Sequence, residues 1–150
     1  MSNVSTIYDA ILTAVGALFP NKTRIPNTLT LEENPDQLMR DGYGLRADDE
    51  TPVELSFCTF SRNRVFTIRL TKEVVTTDMQ TTQMDTAIKA LLEEVVLLQK
   101  DFMNPDQIEV ETSIEIIRMA GTSAVSAFSG DRENFILIDV SFEIQITDNI

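Results

Sequence analysis

Residues 135–147 read Phe-Ile-Leu-Ile-Asp-Val-Ser-Phe-Glu-Ile-Gln-Ile-Thr. Ile136, Ile138, Val140, Phe142, Ile144 and Ile146 recur at every second position, with Asp139 and Glu143 between them. Successive side chains of a strand point to opposite faces, so this stretch predicts a strand with one apolar side and one acidic side. Residues 108–118 repeat the pattern: Ile108, Val110, Ile114 and Ile116 stand against Glu109, Glu111 and Glu115. The two stretches predict an antiparallel sheet that buries its apolar face and turns an acidic wall outward. The later strand would run about 43 Å at roughly 3.3 Å per residue. That is long for a strand. One that outruns its own core can finish in a neighbour's sheet, because exposed edges pair.

Two helices are expected over this sheet. Ile7, Ile11, Ala14, Val15 and Leu18 form one stripe at helical spacing, which predicts a helix over 5–19 with Ser5 as its N-cap. Phe19-Pro20-Asn21 ends it, and Gly16 within it permits close packing. Met84, Ile88, Leu91, Leu92, Val95, Leu98 and Phe102 predict a second helix over 84–103, stopped by Asn104-Pro105. Asp85 and Lys100 suit the dipole at its two ends, and Glu93-Glu94 falls on its polar side.

Between the helices, residues 20–52 read as an irregular arm punctuated by Pro20, Pro26, Pro35 and Pro52. One short helix is expected at 34–40, and Asp41-Gly42-Tyr43-Gly44 reads as a turn that displays Tyr43. A hairpin follows, with strands at 53–60 and 65–72 and a connection at Ser61-Arg62-Asn63-Arg64. This places a basic cluster at the hairpin tip. Cys58 falls in the first strand and reads as a buried thiol. Residues 119–134 are small and uncharged at their centre yet carry Val125 and Phe128, the pattern of a flexible hairpin loop that orders on a partner. The fold class predicted is α+β. It comprises a mostly antiparallel sheet of about four to five strands against two main helices, with a Pro-rich arm, in one domain over 1–150.

The net charge of −12 at 150 residues is the unusual feature of composition. Nine acids beyond Met103 face only Arg118 and Arg132, whereas Arg62, Arg64, Arg69 and Lys72 crowd a stretch without acids. Such a charge dipole suits contacts between copies, although acidic composition also serves solubility alone. It argues against nucleic-acid binding, which is driven by cations that displace counterions from phosphate. The single cysteine precludes an internal disulfide. With no histidine there is no imidazole base, no serine or cysteine triad and no common zinc set. Asp48, Asp49 and Glu50 read as a solvated loop rather than a cation site. No catalytic residue, cofactor or metal ligand is nominated, and no signal peptide or membrane span is expected.

The element order, and the wording Asn34-Pro35-Asp36-Gln37-Leu38-Met39-Arg40-Asp41-Gly42-Tyr43-Gly44 in particular, resembles the tail terminator (tail completion) proteins of long-tailed bacteriophages. The likeness spans roughly residues 5–147. It implies a non-enzymatic virion protein of the tail–neck region, assembled in the host cytoplasm. Its partners would be itself in a homohexameric ring, the tail tube protein, and a head connector or neck protein. DNA would pass through the ring without being bound specifically, and no membrane would be involved. On this reading Arg62, Arg64, Val125, Phe128 and Tyr43 are candidates for the subunit or tube interface. Glu109, Glu111, Glu115, Asp139 and Glu143 are candidates for the lumen face. The alternatives are another neck or tube subunit, or an acidic module that mimics DNA in a basic groove.

Overall fold

A computed structural model describes residues 3–25, 41–55, 58–74, 81–102, 114–129 and 134–149. The chain runs α1 (Asn3–Leu18), β1 (Thr23–Arg24), β2 (Gly42–Leu55), β3 (Thr59–Val74), α2 (Thr81–Phe102), β4 (Ile114–Thr122), β5 (Ser126–Ser129) and β6 (Asn134–Asn149). The sheet order is β1-β2-β3-β6-β4, and β5 also pairs with β6. β1 is parallel to β2 and every other pair is antiparallel. This is the α+β architecture the alternation predicts. The short helix expected at 34–40, the strand residues 108–113 and the Asn104-Pro105 stop lie outside the described residues.

The two central strands, β3 and β6, are each 16 residues long and pair without a break from Thr59↔Asn149 to Val74↔Asn134. One face of this pair carries Phe66, Ile68, Leu70 and Val74 beside Ile136, Ile138, Val140, Phe142, Ile144 and Ile146, all buried. Both helices cover that face. α1 contributes Ile7, Ile11 and Val15, with Phe19 just beyond its end, and α2 contributes Ala87, Leu91, Val95, Leu98 and Phe102. Each set follows the 3.6-residue period, so one stripe per helix meets the sheet. Helix α1 begins at Asn3 rather than beyond Ser5, so the exposed Ser5 lies inside it and is not the N-cap. Among the described residues no helix is long and apolar enough to cross a membrane.

Three boundaries differ from the sequence reading. β2 ends at Leu55 and β3 begins at Thr59, so the expected connection at 61–64 is strand and Arg62 and Arg64 sit within β3. Two charged residues in a polar tetrapeptide read as a connection. The strand tolerates them because partners on β2 and β6 neutralise them. The irregular arm is also shorter, since β2 begins at Gly42 and runs through Pro52 with register shifts at Ala47/Glu50 and Pro52/Glu54. Pro52, which lacks an N–H, is tolerated on a strand interrupted at that point. Cys58, expected as a buried strand thiol, lies just before β3 and is exposed.

Within the expected flexible loop at 119–134, residues 119–122 and 126–129 are strand, and 130–133 lie outside the described residues. β4 and β5 lie end to end along β6, and only residues 123–125 interrupt them. Ser123 bridges the gap. Its N–H donates to Asp139 O at 2.8 Å, and its Oγ accepts the Asp139 N–H at 2.9 Å. The hydroxyl thus takes the acceptor role a backbone carbonyl holds in a regular ladder. Strand propensity of the small residues is weak, and pairing with a complete neighbour overrides it.

Candidate functional site

The candidate interface residues do not form one patch. Tyr43 is not displayed by a turn. It lies in β2, half-buried against the core, between Gly42 and Gly44, which are both buried. Its hydroxyl oxygen is 2.8 Å from the position a Cβ on Gly16 would take. Gly16 therefore gives up helix propensity to admit the tyrosine. Alanine at 16 should lose the roughly 1 kcal/mol of propensity it would otherwise add, through overpacking against Tyr43. The double substitution G16A/Y43F should restore that gain. Urea denaturation of the two variants checks this, and equal stabilities would remove the steric explanation.

Arg62 and Arg64 are not a free basic tip. Arg62 has a side chain only 6% exposed; its Nε lies 2.8 Å from Glu50 Oε1, and its Nη2 lies 2.5 Å from Asp148 Oδ2. Its guanidinium also sits 4.9 Å from the Phe60 ring centroid. Arg64 meets the same Glu50 oxygen at 3.2 Å and donates from Nη1 to Asp48 O at 2.7 Å. Among the described residues Arg62 Nη1 and Arg64 Nε are buried without an acceptor. The pairings between strands β2, β3 and β6 consume the basic charge internally. A contact in which this hairpin grips an acidic neighbour, weakened by salt, is not what the geometry provides. Val125 is half-buried against the core, and Phe128 lies in β5 with its side chain outside the described residues.

Of the proposed lumen face, the side chains of Asp139 and Glu143 are described. Glu109 and Glu111 lie outside the described residues, and of Glu115 only the strand backbone is described. Asp139 receives two hydrogen bonds from Arg69, from Nε at 2.6 Å and from Nη2 at 2.7 Å. Glu143 stands in register with Arg118 of β4. The face also carries Thr67–Ser141 and Ser61–Thr147 hydroxyl pairs, at 2.9 and 2.8 Å. Among the described residues it is a mixed-charge surface with a Ser/Thr ladder. Near its β5 end, Ile25, Phe135 and Leu137 make a small apolar cluster.

Asp48, read as a solvated loop residue, is part of this face. It occupies the irregular stretch of β2, where its carboxylate accepts from Arg46 Nε at 2.6 Å and from the Thr67 hydroxyl. Burial works to raise its pKa, but the two hydrogen bonds and the Arg46 charge outweigh that, and the net shift is downward. Arg46 is shifted upward, chiefly by the same hydrogen bond. A carboxylate with a lowered folded pKa stabilises the fold above its unfolded pKa, and that contribution is lost as pH falls through the folded value. Asp48→Asn should therefore cost about 1–2 kcal/mol at neutral pH and flatten the acid limb of the stability curve. Denaturant titrations from pH 7 to pH 2 check this, and parallel curves would refute it. Asp101, shifted upward by burial, works in the opposite sense.

One cluster was missed from the sequence. Glu94 reads as a helix-surface acid, yet it is half-buried between two lysines. Its Oε2 lies 3.0 Å from Lys22 Nζ and its Oε1 3.1 Å from Lys72 Nζ. The Oε2 contact is a charge contact rather than an aligned hydrogen bond. Lys22 also donates to Thr71 O at 2.8 Å. These residues line a cavity of about 350 Å³ with Leu18, Phe19 and Asp41. Two cations there face two carboxylates, so the cavity holds no net charge to recruit an ion. The cluster joins the turn after α1, strand β3 and helix α2. Its one sequence signal, an acid one turn from Leu91 and Leu98 on the core side, is hidden beside Glu93. The chain matches no protein-family model, and comparison with curated proteins finds no match.

Proposed function

We propose that this chain is a virion structural protein of a long-tailed bacteriophage, a tail terminator. On this reading it assembles as a ring of copies, caps the tail tube, stops its polymerisation and offers the joining surface to the head connector. It belongs to the tail–neck region, is assembled in the host cytoplasm, and lets DNA pass without specific contacts. The observation that carries this reading is the element order. An N-terminal helix, a hairpin, a second helix and closing strands follow one another in the order the resemblance implies, with β4 and β5 standing where one long strand and a loop are expected. The mixed charge of the open sheet face supports a structural subunit over a DNA mimic, which needs carboxylates without opposing cations.

Negative-stain imaging of the purified protein tests this, with annular particles expected. Addition of the protein to polymerising tube subunits should then arrest growth. A chain that stays single at high concentration, or tubes that lengthen unchecked, would overturn the reading.

A further inference from the structure

The two edges of the sheet are built differently. β2 is guarded: Arg46, Asp48, Asp49, Glu50 and Pro52 occupy it, and two register shifts interrupt it. Charges, proline and bulges are the devices by which edge strands avoid pairing with other chains. The β4–β5 edge carries no charged residue and no proline from Met119 to Ser129, and within that stretch β4 shifts register at Met119/Gly121. Residues 119–124 and Ser126 are exposed. Among the described residues, β4 and β5 pair only with β6.

Helix α2 adds an apolar flank beside this edge. Gln99 Nε2 donates to Thr122 Oγ1 at 3.3 Å, which fixes that side of the helix against β4. Leu92 and Val96 lie on the same side, seven and three residues before Gln99. They are 45% and 40% exposed, and Met119 on β4 is 53% exposed. An uncharged strand edge and three large apolar side chains thus occupy one border of the molecule.

We propose that this border is where a second copy of the chain docks, by adding an extended segment to the open side of β4–β5 and covering Leu92, Val96 and Met119. The occupant follows from charge. Two copies that each carry −12 repel one another over most of their surface. The Met119–Ser129 border is a place where they can approach without opposing like charges, and among the described residues no strand pairs with its outer side. Burial of the three side chains adds an apolar contribution. The assignment names the joint of the assembly proposed above and rests on that reading.

The test is Ala120→Lys with Ala124→Lys, both on exposed positions. The pair lowers the net negative charge, so bulk electrostatics alone would strengthen association. Guarding the edge should instead raise the concentration needed for assembly at least tenfold, read by sedimentation velocity, with an unchanged circular dichroism spectrum. Hydrogen exchange on the unsubstituted protein gives a second readout, since amides of 119–126 should gain protection between dilute and concentrated samples. If the lysine variant assembles like the parent and those amides stay unprotected, the edge assignment falls while the assembly reading stands. A parent protein that remains monomeric overturns both.

Discussion

Phe142→Ala is expected to destabilise the protein by about 3–5 kcal/mol. Phe142 is 1% exposed in the central strand β6, directly opposite Phe66 of β3. Its ring stacks on Phe102 of α2, with centroids 5.0 Å apart and planes inclined by 25°. It is therefore the point where sheet and helix share one aromatic contact. Truncation removes apolar area, forfeits the ring pair and leaves a cavity that the close-packed surroundings fill only in part. Against a total stability of about 5–15 kcal/mol, this is a large share. At roughly 2–4 °C per kcal/mol for a domain of this size, the thermal midpoint should fall by about 10 °C. Phe142→Leu keeps most of the volume and should cost far less. The combination with Phe102→Ala should be markedly less than additive, because the two rings are lost to each other in either single variant. Additive losses, or a cost under about 1 kcal/mol for Phe142→Ala, would show that the helix does not depend on this contact.

Glu94→Gln is expected to cost about 3 kcal/mol, and the mechanism differs. Lys22 is only 5% exposed at its side chain, and Glu94 is the carboxylate nearest to it, at 3.0 Å, while Asp41 lies at 4.0 Å. Removing one partner of a buried pair strands the other charge, which costs more than the intact pair contributes. Lys72, less buried, adds little. The control is Glu94→Gln with Lys22→Met. With no stranded ammonium, most of the loss should be recovered, even though one more polar contact is gone. Denaturant unfolding of the single and double variants decides it. If the double variant is the weaker of the two, the burial argument is wrong.

These two sites show what could be read in advance. The stripe from Leu91 to Phe102 and the alternation from Ile136 to Ile146 both respond to a single neighbouring surface, so period alone reports them. The buried face of β6 matches the reading residue for residue. The failures have a different character. Arg62 and Arg64 read as a turn because charge is rare inside strands. Glu50 and Asp148 make them acceptable there, and Asp148 lies 86 residues beyond Arg62. The small residues 119–129 read as a loop because nothing local favours a strand. Their pairing is imposed by β6. Glu94 reads as surface because its lysines come from elsewhere in the chain.

The candidate assembly residues divide the same way. Tyr43 and Val125 carry apolar surface, but the core claims part of it. The uncharged edge around Val125 becomes visible only once β4 and β5 are aligned along one strand. An open edge is a statement about what a strand is not paired with, and no local window contains that information.

Local periodicity was enough to establish an amphipathic helix pair over a sheet with one greasy face, because each of those features depends on the spacing of side chains along a single element. The charge on the sheet's other face depended on register. Asp139 is a bare acid in the sequence and a partner of Arg69 in the fold, 70 residues away. Coulombic pairing acts over a few ångströms of space. Only the folded sheet brings those charges that close.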